Sequence, residues 1–249
     1  MNRIIVITTD FGDRFATSQV VGVIRSVNSN ANVVIAEDSV TPFSILEGAF
    51  IIWQLSRFFP KGSIHLGVVD PGVGSSRKGV IIQSNNFFFV GPDNGLFYPA
   101  ASKDGIIAAH EIDLAKLGNV TPTFHGRDVF SKVSAYLTQG IPVEEYSKPM
   151  NASELVQLEF KENQVVHVDP YGNIKIFNPA GYDKGQQLTI EHNGQSVTLP
   201  FAKTFAEVSV GSYLSYKGSH DLLEIAVNQG NAAQKLGVRV EDVLTITSK

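Results

Sequence analysis

A buried apolar strand that ends in a carboxylate and a glycine-containing loop is the densest group of residues able to do chemistry. It runs from Val68 to Arg77 with the sequence VVDPGVGSSR, and Asp70 follows the apolar residues directly. Such a loop can offer backbone N–H groups to an anion or simply reverse the chain. Taken alone, Asp-Pro-Gly is more often an ordinary turn, and the segment lacks the Gly-Lys-Ser/Thr ending of a phosphate loop.

A second polar segment, TPTFHGRD from Thr121 to Asp128, lies just before a predicted helix. Its polar groups would therefore surround the positive end of the helix dipole. Thr123 or Asp128 could serve only as helix-capping groups, and a single loop histidine such as His125 is more often structural than catalytic. By itself, this segment does not distinguish a reactive site from a helix start.

Four further turns carry polar residues at strand ends. They are VGPDNGL (90–96), DPYGN (169–173), GSH (218–220) and GNA (230–232). Because Asn and Gly readily adopt positive φ, turn chemistry alone favours structural roles for them. Asp93 and Asn94 could still frame a pocket.

Apolar strands alternate with amphipathic helices in the first part of the chain. The strands are predicted at residues 4–10, 33–36, 64–69, 80–82, 87–90 and 106–110. The helices are predicted around the apolar face of Val20, Val21, Ile24 and Val27, from the capping pair Ser44 and Glu47 to about Phe59, and from about Asp128 to Gln139, before Gly140.

This alternation predicts an α/β domain with a mainly parallel sheet flanked by helices. Ligand sites in such sheets collect at the carboxyl ends of the strands, where Asp10 and Asp70 both lie. From Gln164 onward the pattern changes to short alternating strands separated by turns, which predicts a smaller all-β domain. We therefore expect an α/β N-terminal domain at 1–145, a linker at 146–160 and a C-terminal domain at 161–249.

Composition excludes several classes of function. The formal net charge is -4, and no basic block marks a phosphate-binding face, which argues against nucleic acid as a partner. No apolar run reaches the roughly 20 residues of a membrane helix, so no membrane association is expected. The apolar run Ile4–Ile7 leads directly into polar residues and does not resemble a signal peptide, so the expected location is cytoplasmic. Without cysteine, the chemistry must come from oxygen and nitrogen groups.

Six motifs occur in a characteristic order along nearly the whole chain. They are TDFG (9–12), TP with EGA (41–42 and 47–49), VDPGVG (69–74), GPDNGL (91–96), TFHGRD (123–128), and EIA with GNA (224–226 and 230–232). Together they resemble the S-adenosylmethionine hydroxide adenosyltransferase family, which is related to the fluorinases and chlorinases. The resemblance implies an α/β N-terminal domain, a barrel-like C-terminal domain, and a homotrimer whose sites lie between the N-terminal domain of one subunit and the C-terminal domain of its neighbour.

The resemblance also assigns roles to individual residues. Asp70, Arg77 and His125 match the set that activates water in the hydrolytic branch. In the first domain, the matched substrate-binding residues are Asp10 at the ribose hydroxyls, Phe43 packed on the substrate, and Thr123 and Gly126 near the sugar. In the second domain, they are Asp169 and Asn173 at the methionine amino and carboxylate groups, with Tyr171, Ser219 and Asn231 making adenine or main-chain contacts.

Two positions depart from the family pattern. The first loop, DRFA at residues 13–16, is one residue shorter than in relatives, and Asp13 could replace the acid that they usually carry there. His220 stands beside Ser219, where halogenating relatives have an Arg. The adenine edge could therefore be recognised differently here.

The function that this resemblance implies is hydrolysis of S-adenosylmethionine to adenosine and methionine. A sulfonium already makes methionine a good leaving group, so we expect neither a metal nor another cofactor. A halide adenosyltransferase is the nearest alternative, but Asp70 would repel a halide, and only 12 residues separate Arg77 from Val90, where fluorinases carry a long insertion. A non-catalytic S-adenosylmethionine-binding protein and an enzyme for a related adenosyl compound are further alternatives.

Overall fold

The computed structural model describes residues 3–248. The chain forms two compact units that divide between Glu159 and Phe160. The segment predicted as a linker, 146–160, contributes a strand to the first unit. None of the helices in the described part of the chain is long and apolar enough to cross a membrane.

From residue 3 onward, the described part of the first unit forms seven strands and four α-helices. Its strands are β1 (Ile4–Thr9), β2 (Asn32–Glu37), β3 (Ile64–Val68), β4 (Gly79–Ser84), β5 (Phe88–Pro92), β6 (Ile106–Ile112) and β7 (Ser147–Met150). Its helices are α1 (Arg14–Val27), α2 (Ile45–Ser56), α3 (Tyr98–Asp104) and α4 (Ser131–Gln139). The short helix α3 and the edge strand β7 were not predicted; β7 contains Pro149, which an edge strand tolerates.

The seven strands form one sheet in the order β2-β1-β3-β5-β4-β6-β7. Strands β2, β1, β3 and β5 pair in parallel, which confirms the predicted α/β sheet. Strand β4 is antiparallel to both β5 and β6, and β7 is antiparallel to β6. The sheet is therefore mixed, with five of its seven strands pointing in the same direction.

Helices cover both faces of this sheet. Helices α1 and α4 contact each other on one face, where Ile24 and Phe130 are fully buried in the same apolar cluster as Ile81 of β4. Helices α2 and α3 contact each other on the other face, where Ile52 packs with Phe89 of β5. The two apolar layers fix the sheet, and hence the loops at its edge, from both sides.

Two predicted helix ends are confirmed. Ser44 is the N-cap of α2, and its hydroxyl accepts a hydrogen bond from the N–H of Glu47. The Glu47 carboxylate in turn accepts from the backbone N–H of Thr41 at 2.8 Å, so it fixes the chain that enters the helix. At the end of α4, Gly140 adopts a left-handed conformation with φ of 74°.

The second unit is mainly β-structure, as predicted. Its strands are β8 (Gln164–Val168), β9 (Ile174–Phe177), β10 (Gln187–His192), β11 (Gln195–Pro200), β12 (Tyr213–Lys217), β13 (Leu223–Val227) and β14 (Thr245–Ser248), with the short helix α5 (Ala232–Leu236). They form an antiparallel sheet β12-β13-β9-β8 and a second one, β11-β10-β14. The barrel-like closure is not confirmed, because the strands described here pair into two separate sheets, with isolated bridges such as Phe201 with Ser215 between them.

Candidate active site

The direction of β4 brings Asp70 and Arg77 to the same edge of the first sheet. Asp70 follows the carboxyl end of β3, as the sequence predicts. Because β4 is antiparallel to β5, its first residue, Gly79, pairs with Pro92 at the end of β5. Arg77, two residues before Gly79, therefore faces the loop that carries Asp70.

Asp70, Arg77 and His125 are joined by direct contacts. The Arg77 Nε donates to Asp70 Oδ1 at 3.1 Å, and its Nη2 donates to Asp70 Oδ2 at 2.5 Å. The same Nη2 lies 3.1 Å from the Nδ1 of His125. Arg77 thus connects two residues that are 55 positions apart in the sequence, and the structure brings together the whole set that the resemblance indicated.

These contacts define the protonation state of His125. An arginine has only donors, so the Nδ1 of His125 must accept the hydrogen bond from Arg77. The imidazole is then neutral and carries its proton on Nε2. A protonated His125 would place an N–H against the guanidinium, so the arrangement is consistent only with the neutral ring.

The three side chains are largely withdrawn from solvent. The Arg77 and Asp70 side chains are 8% and 5% exposed, and the guanidinium carbon lies 5.4 Å from the ring centre of Phe130. Burial raises the pKa of Asp70 against the opposing effect of Arg77. Burial, together with the positive charge of Arg77, lowers the pKa of His125. Burial is the leading cause of both shifts, and the Arg77 cation adds to it only at His125.

We expect these shifts to set the acid limb of the pH–rate profile. The active arrangement has Asp70 ionised and His125 neutral, so activity falls as pH decreases through the pKa of either group. Because the pKa of His125 is lowered, the limb should lie below about 6.5, and because that of Asp70 is raised, it should lie above about 3.9. Rates measured in constant-ionic-strength buffers from pH 4 to 9 test this; a limb centred at or above pH 7 would contradict it.

A π-helical turn presents His125. It spans Gly126–Phe130. The N–H of Ser131 donates to the carbonyl of Gly126, five residues earlier, which is the hydrogen bond that defines a π-helical turn. Gly126 allows a close approach, since a Cβ there would lie 3.2 Å from atoms of Phe11 and Val68. Such turns are frequent at functional sites because they displace side chains from regular helical positions.

The segment before this turn is fixed by ion pairing and by contact with the Asp70 loop. Arg127 forms two hydrogen bonds with Asp128, which also accepts from the N–H of Thr121. A Cβ on Gly74, which has φ of 79°, would meet the carbonyl oxygen of Pro122 at 3.0 Å. Thr123, predicted to line the sugar pocket, lies exposed on this segment.

Asp10 and Phe43, predicted to contact the substrate, are in contact with each other. The Asp10 Oδ2 accepts from the backbone N–H of Phe43 at 2.9 Å. Phe43 has φ of 68°, a strained conformation for an aromatic residue, and its side chain is 71% exposed. Asp10 therefore holds an outward-facing ring beside the end of β1.

The GPDNG turn supports the backbone of the Asp70 loop. The amide of Asn94 donates to the carbonyl of Val69 at 2.8 Å, and its oxygen accepts from Leu96. The carbonyl of Lys78 accepts from the N–H of Asp93 and from Arg77 Nη1. The structural role favoured from turn chemistry is thus confirmed for Asn94, and it acts one residue from the carboxylate.

Predicted residues of the second unit meet around Asp169. Its Oδ1 accepts from the backbone N–H groups of Tyr171 and Asn173, and its Oδ2 accepts from the Asn173 amide at 2.9 Å. Burial alone would raise the pKa of Asp169, but these hydrogen bonds and Lys175 lower it, so the carboxylate stays charged. The Tyr171 ring is 78% exposed.

Asn231 and Ser219 lie on neighbouring turns of the same unit. Asn231 is the N-cap of α5, accepts from the N–H of Gln234 and lies against Gly172, where a Cβ would be 2.1 Å from its side chain. Ser219 lies on an exposed turn, with its hydroxyl 3.3 Å from the Nδ1 of His220. The structure thus brings Asp169, Asn173 and Asn231 together and puts Ser219 on another turn.

Several residues around the predicted sites were not singled out from the sequence. Phe130 packs against Arg77, and two buried charges, Lys175 and Glu224, lie beside Asp169. The sequence did contain an indication for Lys175 and Glu224, since each is the single charged residue in a short apolar strand. In the described residues, no group of three or more His, Cys, Asp or Glu side chains could hold a metal ion.

Comparison with known proteins covers both units. The SAM hydroxide adenosyltransferase N-terminal domain matches residues 5–147, and the C-terminal domain of the same family matches residues 163–245. A solved structure of an uncharacterized conserved protein from Thermotoga maritima superposes with a TM-score of 0.89 at 29% identity, covering 97% of this chain and 99% of that one.

Curated relatives carry names from both branches of this family. A protein of Methanocaldococcus jannaschii named (R)-S-adenosyl-L-methionine hydrolase is 31% identical over 98% of this chain and 95% of its own. One of the same name from Thermus thermophilus is 34% identical over 80% of this chain and 81% of its own. A fluorinase of Actinoplanes sp. is 24% identical over 99% and 98%. The chain belongs to the SAM hydroxide adenosyltransferase family.

Proposed function

We propose that the protein hydrolyses S-adenosylmethionine to adenosine and L-methionine. The observation that carries this proposal is the buried contact of Arg77 with both Asp70 and His125. The relatives named (R)-S-adenosyl-L-methionine hydrolase support it, and they point to the (R) form at the sulfonium. An enzyme of this class must activate water, and these three side chains form the cluster best suited to do so.

The proposed reaction is a single displacement at the ribose C5′. A water-derived hydroxide forms the C5′–O bond while the C5′–S bond breaks, and the bonding electron pair leaves on sulfur. Because the sulfonium is positively charged, methionine departs as a neutral thioether without help from an acid. The remaining requirement is to stabilise an oxygen that loses a proton and to align it with C5′.

The geometry supports a distinct role for each residue. Arg77 supplies a fixed positive charge for the developing hydroxide, and Asp70 holds the guanidinium by two bonds. The single lone pair on the Nδ1 of His125 is used by Arg77, whereas the Asp70 carboxylate has acceptor sites beyond those that bond Arg77. Asp70 is therefore the better placed proton acceptor, and its raised pKa strengthens it as a base. His125 then keeps an Nε2–H that can orient the attacking oxygen. Catalysis without a metal or cofactor and a cytoplasmic location remain predictions.

Isotope labelling tests this proposal directly. Incubation of the protein with S-adenosylmethionine in oxygen-18 water should place the label in the 5′-hydroxyl of adenosine, as measured by mass spectrometry. The two sulfonium epimers are supplied separately, and only the (R) form should be consumed. Unlabelled adenosine, or no adenosine from the wild-type protein, would disprove hydrolysis.

The same incubations separate the alternatives. Formation of a 5′-halo-adenosine that depends on added chloride or fluoride would identify a halide adenosyltransferase. A wild-type protein that binds S-adenosylmethionine as tightly as Asp70→Ala but forms no product would instead be a binding protein. For the hydrolase, Asp70→Ala should bind the substrate and lose turnover.

We also propose a homotrimer with substrate sites shared between subunits. The support is the family pattern, which assigns Asp10, Phe43, Thr123 and Gly126 in one unit and Asp169, Tyr171, Asn173, Ser219 and Asn231 in the other to one substrate. Light scattering should give about three times the chain mass of 27.0 kDa. A stable monomer that is fully active would reject this assembly.

A further inference from the structure

The second unit contains a buried polar array that the proposed reaction does not use. Its members are Lys175 on β9, Glu224 on β13 and Tyr216 on β12, and we refer to them as the Lys175 array. The Lys175 and Glu224 side chains are only 8% and 5% exposed. Charged groups are seldom buried in this way unless each has a partner.

Strand register holds the array together. Lys175 and Glu224 are directly opposite each other in the β13–β9 pair, and Glu224 and Tyr216 are directly opposite in the β12–β13 pair. The Lys175 Nζ lies 3.5 Å from Glu224 Oε2, and the Tyr216 hydroxyl donates to that same oxygen at 2.7 Å. The side chains therefore follow from the pairing of three adjacent strands.

The array links two loops to which the resemblance assigns substrate contacts. At one end, the Lys175 Nζ is 3.5 Å from Asp169 Oδ2. At the other end, Glu224 lies under the 218–220 turn: a Cβ on Gly218 would be 1.9 Å from Glu224 Oε1, and His220 Nδ1 is 3.9 Å from that oxygen. A displacement of Glu224 would therefore alter the packing of both the Asp169 loop and the 218–220 turn.

The charges of this region do not cancel. Asp169 and Glu224 contribute two negative charges, and Lys175 contributes one positive charge. With the nearby His220 in its uncharged form, one negative charge is left in excess. Buried ion pairs are often no more stable than apolar replacements, so stability alone gives little reason to keep three charges here. A surplus negative charge beside a loop suits a ligand that brings a cation, such as the ammonium group of an α-amino acid.

We infer that Lys175, Glu224 and Tyr216 are positioning residues for the amino acid end of the substrate. They hold the Asp169 loop and the 218–220 turn in place and leave the negative charge that an ammonium group requires. This inference rests on the proposed function, because S-adenosylmethionine supplies that amino acid end. It extends the site to three residues that make their contribution through Asp169 and the turn.

The test compares Tyr216→Phe with Tyr213→Phe. The first removes the hydroxyl that bonds Glu224 but keeps the ring that packs on Phe205. The second removes a hydroxyl from the same strand, where the ring of Tyr213 packs near Lys235 rather than in the array. Calorimetric titration with S-adenosylmethionine gives Kd, steady-state rates give KM and kcat, and thermal unfolding monitors folding.

A second ligand separates positioning from a general structural effect. The adenosyl dimethylsulfonium cation keeps the adenosine and the sulfonium but lacks the amino acid end. Tyr216→Phe frees Glu224 from one of its fixing contacts, and the resulting displacement should weaken binding of S-adenosylmethionine about tenfold. It should raise KM in parallel with little change in kcat, and it should weaken binding of the truncated cation, which keeps the adenosine contacts assigned to Ser219, much less than binding of S-adenosylmethionine. Tyr213→Phe should match the wild type with both ligands.

Each outcome decides the inference. Equal weakening for both ligands, or no weakening for S-adenosylmethionine, would overturn it. If the wild type binds S-adenosylmethionine without turnover, hydrolysis is rejected. The affinities of Tyr216→Phe for S-adenosylmethionine and for the truncated cation still test the positioning role of the Lys175 array in that case. If the wild type does not bind S-adenosylmethionine, both proposals are wrong.

Discussion

Replacing Arg77 with Lys is expected to lower kcat by about 10²- to 10³-fold, the loss typical of removing a preorganised donor from a charge-stabilising site. A single ammonium cannot bond both oxygens of Asp70 and also meet the Nδ1 of His125, whereas the planar guanidinium does all three. Because lysine preserves the positive charge, the decrease in kcat measures the contribution of the guanidinium geometry. Initial rates of adenosine formation from saturating S-adenosylmethionine measure it.

Arg25→Lys provides the matched control. Arg25 is in the last turn of α1, bonds the carbonyl of Ser29 at an exposed position and lies outside the cluster. Its replacement should leave kcat within about twofold of wild type, because exposed single bonds contribute little. If Arg77→Lys keeps more than a tenth of the wild-type kcat while remaining folded, the proposed role of the bidentate contact is wrong.

Replacing Lys175 with Met is expected to destabilise the second unit by about 3–5 kcal/mol. The substitution keeps the length of the apolar stem but leaves the carboxylates of Asp169 and Glu224 without the cation between them. Uncompensated buried charge is the dominant cost, because the strands and their apolar neighbours are unchanged. Urea unfolding followed by circular dichroism measures the loss as a lower midpoint for the affected transition.

Two comparisons make this result specific. Lys217→Met removes the exposed ion pair between Lys217, at the end of β12, and Asp221 in the turn that follows, and it should change stability by no more than about 0.5 kcal/mol. The double variant Lys175→Met with Glu224→Leu should recover part of the loss, since it removes one of the orphaned charges. A Lys175→Met protein as stable as Lys217→Met would show that the buried charges are solvated, contrary to this expectation.

Local patterns were sufficient to predict the elements of the first unit that carry the site. The strands before Asp10 and Asp70 were identified because buried parallel strands are continuous apolar runs ending in polar residues. The contact of Asp70, Arg77 and His125 was indicated only by their joint match to a family. Each residue alone had a simpler interpretation as a turn, surface or loop residue.

Features that depend on the arrangement of distant segments could not be predicted. The direction of β4 is known only once it is paired with β5 and β6. The contact of Arg77 with Asp70 therefore could not be predicted from the sequence pattern. Lys175 could not be paired with Glu224 before the register of β9 and β13 was known. Likewise, the positive φ of Phe43 accompanies a hydrogen bond to Asp10, 33 residues earlier in the sequence.

The π-helical turn after His125 makes chain length, as well as residue identity, a determinant of this site. Each residue of an α-helix advances the chain by about 100° around the axis. Deleting one residue between Gly126 and Phe130 would let the wide turn revert to regular α-helical bonding, and would swing His125 by about that angle relative to α4. A single-codon deletion could therefore separate the imidazole from Arg77 while every other residue of the cluster stayed intact.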